Sequence, residues 1–166
     1  MTEMKTIRIA PVRKSIRVKA SQAHAFDVFT SRIGRWWPIE KAKVSPGPIK
    51  DTTIEPKLGG RWFETGMDGT ETTVGHILVW EPPQRFVVTW EVNCHWKSDA
   101  TTASQVEVRF IADGPDTTLV ELEHGQFERM AEGGESIRKD VDRGWPGMLE
   151  LFKIAAEARA GDRRDP

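Results

Sequence analysis

A carboxylate, two imidazoles and a thiol are the groups in this chain whose types and positions suit acid, base or nucleophilic chemistry. Glu64 shares strand parity with Trp62, and a carboxylate facing an apolar interior is placed to act as acid or base. A one-residue bulge after Gly59-Gly60 would turn Glu64 outward and bring Arg61 in, offering a guanidinium fork to a carboxylate ligand instead. His76 and His124 fall on the apolar parity of their own segments, where an imidazole orients a polar ligand group or serves as a general base. A buried, hydrogen-bonded packing role competes with that reading for both. Cys94, the single cysteine, has no base beside it in the sequence, so a small buried hydrophobe competes with a nucleophile. Its spacing from the four histidines is not that of a metal centre. The chain has no phosphate-cradling loop, no H-E-x-x-H, no C-x-x-C and no nucleophile elbow. Nothing here demands an enzyme, a metal or a cofactor.

Aromatic residues carry a stronger signal. Seven tryptophans stand against no tyrosine, and indoles supply large, rigid, flat surfaces suited to a thick core or to the wall of an apolar cavity. Trp62, Trp80, Trp90 and Trp145 lie on four separate predicted elements, and Trp36 and Trp37 follow a predicted helix. If these indoles line a cavity, the ligand is apolar or aromatic and is oriented by a polar group such as His76. If they fill it, the tryptophans are core.

The elements that must position these residues can be read from periodicity. Val12 to Ala20 alternates as a strand, and Ser21 stands where a helix N-cap belongs. Phe26, Phe29, Ile33 and Trp36 recur at helical spacing, with Gly34 dividing the segment into two short helices before Pro38 stops it. Residues 39–50 read as a loop, long enough to form the rim of a site. Six strands are predicted next, over 52–55, 60–65, 72–81, 85–93, 102–112 and 117–124, separated by turn residues such as Asp68-Gly69 and Asp113-Gly114. Short connections make neighbours antiparallel. Parity directs Val106, Val108 and Phe110, then Val120 and Leu122, then Phe86, Val88, Trp90, Val92 and Cys94 to one face, and assigns Val74, His76, Leu78 and Trp80 together. Val141, Trp145, Met148, Leu149, Phe152 and Ala156 mark the inner stripe of a terminal helix expected to start near Glu135-Ser136, with Ser136 as its cap and a kink near Trp145, where Gly144 and Pro146 interrupt the pattern.

The order of these elements, one strand, two short helices, six antiparallel strands and a long helix, is that of an α+β helix-grip fold. Particular residues agree. Trp36-Trp37-Pro38, Gly59-Gly60-Arg61-Trp62, Val79-Trp80-Glu81-Pro82-Pro83 followed by Arg85, Thr89-Trp90 and Gly144-Trp145 resemble the START-like (SRPBCC) superfamily, and within it the homologues of the activator of heat-shock protein 90 ATPase. The resemblance spans about residues 12–160. It implies a deep apolar cavity between sheet and terminal helix, in a superfamily that binds lipids, sterols, polyketides or hormones and sometimes cyclises or hydrolyses them. The ligand-binding residues it suggests are Trp36, Trp37, Trp62, Glu64, His76, Trp80, Trp90, Trp145 and Met148. The activator that names the branch carries an additional N-terminal domain, so a chaperone partner is a secondary expectation.

Bulk properties narrow the remaining classes. At 166 residues the chain suits one domain over 12–160, with an N-terminal arm over 1–11 and a frayed tail over 161–166. Lys plus Arg number 24 and Asp plus Glu 25, so no global field recruits nucleic acid or an acidic membrane. No run approaches the ~20 apolar residues of a membrane span. A soluble cytoplasmic protein is expected, with a small apolar or aromatic molecule as partner. Strand edges and a tryptophan-rich mouth equally support a homodimer.

Overall fold

The computed structural model describes residues 9–130 and 132–158. Seven antiparallel strands form one curled sheet, a half-barrel, in the order β1-β7-β6-β5-β4-β3-β2. The strands are β1 (Val12–Val18), β2 (Ile49–Ile54), β3 (Arg61–Gly66), β4 (Glu71–Glu81), β5 (Arg85–Trp90), β6 (Ser104–Ala112) and β7 (Thr118–Gly125). Helix α1 (Gln22–Phe29) follows β1, and helix α2 (Gly134–Glu157) ends the described chain. The helix-grip architecture is thus present, with the hydrophobic core between the concave face and the two helices.

Local chemistry explains the boundaries. Ser21 caps α1, its hydroxyl accepting a bond from the His24 amide at 3.2 Å. The second short helix reduces to a single 3-10 turn, Ile33–Arg35. Gly34 there lies against Asp51 and the Thr52 carbonyl of β2, where a side chain would collide. Helix α2 does not use Ser136 as its cap. It starts earlier, with Gly133 at the N-cap position in the left-handed region (φ 74°). Gly133 is pressed onto Cys94 and Gly134 onto the Phe127 carbonyl, so the turn into the helix is closed by two residues that have no Cβ. Pro146 lies within α2 on its exposed side, and the helix continues through it. Ile137, Val141, Trp145, Leu149, Phe152 and Ala156 are its buried stripe.

Parity is right on β5, β6 and β7 and fails on β4. The β3–β4 register runs from Trp62 opposite Gly75 to Phe63 opposite Thr73, and the β4–β5 register from Ile77 opposite Val88 to Val79 opposite Val87. Val74 and Leu78 are therefore extra residues on β4, and each bulge reverses the alternation beyond it. Val74 and Ile77 are buried and Trp80 packs inward on Phe26, whereas Leu78 is 44% exposed and His76 faces the outer surface. The expected common face of Val74, His76, Leu78 and Trp80 is corrected accordingly. Of the arm expected over 1–11, residues 1–8 lie outside the described residues, and Arg138 Nε donates to the Ala10 carbonyl at 2.6 Å. The tail over 161–166 also lies outside them.

Candidate functional site

Five of the predicted tryptophans meet between sheet and helix α2. Trp37 lies with its ring centroid 5.0 Å from Trp62, 5.9 Å from Trp145 and 6.4 Å from Trp90. Trp90 lies 5.5 Å from Trp62 and 6.1 Å from Trp145, and Trp36 sits 5.6 Å from Trp37. Most of these pairs are edge-to-face, the geometry that places a ring's positive edge on its neighbour's negative face. All five rings are at least nine-tenths buried. They come from β3, β5, α2 and the segment after the 3-10 turn, so the cluster exists only when the whole fold is assembled.

The polar groups around these rings are placed with equal care. His124 is fully buried at the end of β7; Trp145 Nε1 donates to its Nδ1 at 3.1 Å, and its Nε2 lies 2.8 Å from Ser104 Oγ. An indole nitrogen can only donate, so Nδ1 carries no proton and Nε2–H donates to the serine. Burial pushes the His124 pKa down to about 3, so the ring is neutral at physiological pH and is a weak general base. Glu64 faces inward as parity requires, without the bulge that would have exchanged it for Arg61, and is 2% exposed. Its carboxylate accepts bonds from the Val44 amide at 2.8 Å, the Ser45 amide at 2.8 Å and the Ser45 hydroxyl at 2.7 Å. These three donors tie it to the 37–48 segment.

The remaining predicted site residues fall elsewhere. His76 points away from the chamber: its Nδ1 lies 2.6 Å from Glu91 Oε2, and 45% of its side chain is exposed. Trp80 packs at the opposite end of the core, 5.0 Å from Phe26 and 6.4 Å from Phe86. Met148 is half-buried against the core from α2. Sequence reasoning passed over Ser104, although it shares parity with Val106, Val108 and Phe110 and is a polar residue opening an apolar row. It also passed over Trp96, which lies in an irregular loop with no period to reveal it; its ring is 6.2 Å from Trp90 and its Nε1 donates to Asp140 at 3.0 Å. Among the described residues Cys94, His95 and Glu132 bring potential metal-ligand atoms within 4.8 Å of one another, with His95 and Glu132 exposed.

Comparison with known proteins places this geometry. The family model for Activator of Hsp90 ATPase homolog 1-like proteins matches residues 19–157. The chain belongs to that family. Among solved structures, this member of the Activator of Hsp90 ATPase homolog 1-like family is similar to an anthrahydroquino-gamma-pyrone synthase, Txn09, complexed with SUM. The two share 42% identity over 88% of this chain and 96% of the synthase, with a TM-score of 0.62. It is also similar to CalC, a self-sacrificing resistance protein from Micromonospora echinospora, at 34% identity over 88% of this chain and 93% of CalC, with a TM-score of 0.65. CalU16 from the same organism, at 24% identity and a TM-score of 0.61, shares the fold. Comparison with curated proteins gave no match. Among the described residues no helix is long and apolar enough to cross a membrane.

Proposed function

We propose that this protein binds a flat, largely apolar aromatic molecule between the curled sheet and helix α2, with Trp62, Trp90 and Trp145 as the walls and Trp37 covering them from the 37–48 segment. The observation that carries this reading is the convergence of these indoles from four separate segments onto one buried cluster. Aliphatic side chains would serve a plain core as well, whereas stacked and edge-on indoles give a planar ligand strong contact at low entropic cost. The 42% identity to a synthase of a fused aromatic pyrone supports the same ligand class.

A second reading, ring closure of a polyketide-like substrate, is favoured by that likeness. It would rest on shape and not on a strong acid or base, because Glu64 is committed to three donors of the 37–48 segment and His124 is held neutral. Catalysis would then come from holding a flexible chain in its folded, near-attack conformation. A chaperone partnership has only the family name behind it.

Native mass spectrometry of the freshly purified protein, with organic extraction of co-purifying material, tests the binding reading. A reproducible aromatic mass supports it. A clean apo mass, with no shift in Tm across a library of polycyclic aromatics and lipids, sinks it.

A further inference from the structure

One buried donor in the chamber has no partner. Trp36 Nε1 donates to the Val28 carbonyl, Trp37 Nε1 to the Ala42 carbonyl, Trp62 Nε1 to Thr52 Oγ1, Trp96 Nε1 to Asp140 and Trp145 Nε1 to His124. Trp90 Nε1, in a residue 3% exposed and ringed by Trp37, Trp62, Trp96, Trp145 and His124, donates to nothing. Buried N–H groups are rarely left unmade, because the desolvation cost is not recovered. The acceptor nitrogen of the neighbouring His124 ring, Nδ1, is already used by Trp145.

The rings around Trp90 differ in how firmly they are held. Trp62 and Trp145 lie in β3 and α2, and His124 in β7. Trp37 lies in a segment without regular structure that makes its own internal bonds. Lys41 and Ala42 amides donate to the Pro38 carbonyl, Trp37 Nε1 to Ala42, and Lys43 Nζ to the Ser45 and Gly47 carbonyls. This segment could therefore swing as a unit with the Trp37 N–H still satisfied. Its ends are tied by the Trp37 amide donating to the Ile33 carbonyl and the Met67 amide to the Pro48 carbonyl; between them it is held by the Glu64 clasp on Val44 and Ser45, the burial of Val44 and the Trp37 ring itself.

We infer that Trp90 Nε1–H is the donor that orients the ligand, and that the Trp37 indole occupies part of the ligand's place until the 37–48 segment swings away. This inference rests on the reading of the chamber as the ligand site and adds the ligand's polar chemistry. The ligand is an aromatic carrying a carbonyl acceptor at its edge, such as a quinone, pyrone or aryl ketone, and it presents no donor to the chamber.

Anthraquinone-2-sulfonate and anthracene-2-sulfonate test this, being matched in ring size, charge and solubility and differing in the carbonyls. The wild-type protein should bind the quinone about tenfold more tightly. Trp90→Phe, which keeps an aromatic ring and removes the donor, should erase that preference, bringing the ratio of the two affinities to about one. Trp37→Ala should speed association of both probes several-fold. In the wild-type protein, the Trp90 indole N–H resonance should move downfield with the quinone and not with the anthracene, a readout that does not depend on a variant folding. Equal affinity for the two probes, or a Trp90 resonance indifferent to the carbonyl, overturns the donor assignment while leaving the chamber as a binding site. Unchanged association in Trp37→Ala overturns the gate. Failure of both probes to bind overturns the binding reading and this inference together.

Discussion

Trp145 of helix α2 donates its indole N–H to Nδ1 of His124 on β7 at 3.1 Å, and both residues are buried. That bond fixes the tautomer of the histidine, directs its other nitrogen at Ser104 on β6, and sets the rotation of an indole that walls the chamber. The terminal helix is thus joined to two central strands by a polar chain inside an aromatic core. In such surroundings a satisfied network specifies one arrangement, and a broken one leaves costly orphans. His124→Leu should remove two acceptor and donor roles at once, orphaning Trp145 Nε1, and destabilise the protein by about 2–4 kcal/mol. Urea unfolding of the variant measures this.

The same burial makes stability depend on pH. His124 stays neutral in the folded protein down to about pH 3, whereas in the unfolded chain it takes up a proton near 6.5. Between these values the unfolded state binds more protons, so stability falls as pH falls, by about 1.4 kcal/mol per unit. Above pH 6.5 the contribution is constant. Unfolding free energies at pH 7.5 and 5.0 should differ by about 2 kcal/mol more in the wild-type protein than in His124→Gln. Equal pH dependence in the two proteins would refute the assignment.

Glu64 gives a third prediction, local where the first two are global. Glu64→Ala leaves the Val44 and Ser45 amides without their buried acceptor and should cost about 2–4 kcal/mol. Glu64→Gln keeps one acceptor oxygen and should cost less. Hydrogen exchange at Val44 and Ser45 should accelerate in both variants, while strands β6 and β7 stay protected. Unchanged exchange in the 37–48 segment would mean that the clasp does not hold it.

Much of this was legible in the chain. Clean alternation on β6 and β7 named the inner face of those strands, since nothing interrupts their pairing register. Ser21 announced α1 because its cap is local chemistry. The Trp set was legible as a group because large aromatic residues on separate elements have few other places to go. His76 was misplaced because a bulge depends on what the partner strand does, and one extra residue reverses every side chain after it. The helix start was misplaced because Gly133 and Gly134 answer to Cys94 and Phe127, contacts distant in sequence. Trp90 could be assigned to the inner face, but its lack of a partner is a property of all its neighbours together.

Gly75 shows the same dependence and makes a fourth prediction. It sits on β4 beside the first bulge, and an added methyl would meet the carbonyl oxygen of Thr89. That residue's hydroxyl in turn bridges the His76 amide and Glu91. Gly75→Ala should cost about 1–3 kcal/mol through overpacking. A Tm equal to that of the wild-type protein would show that the strands separate freely at this point.

The last prediction separates the inner from the outer face of β4. His76 pairs with Glu91 on the outer surface, across the sheet from the tryptophan chamber, although simple alternation directs it inward. Only the His76 half of this pair is exposed; Glu91 is buried and keeps the Thr89 hydroxyl as a donor, so His76→Ala should cost about 1–2 kcal/mol. It should also leave the affinity for anthraquinone-2-sulfonate unchanged. Trp62→Ala, on β3 and inside the chamber, should weaken the same ligand at least tenfold, because an indole face is lost from its wall. The pair of variants decides between two readings of one sheet. If His76→Ala abolishes binding and Trp62→Ala does not, the ligand sits on the outer face and the tryptophans are core.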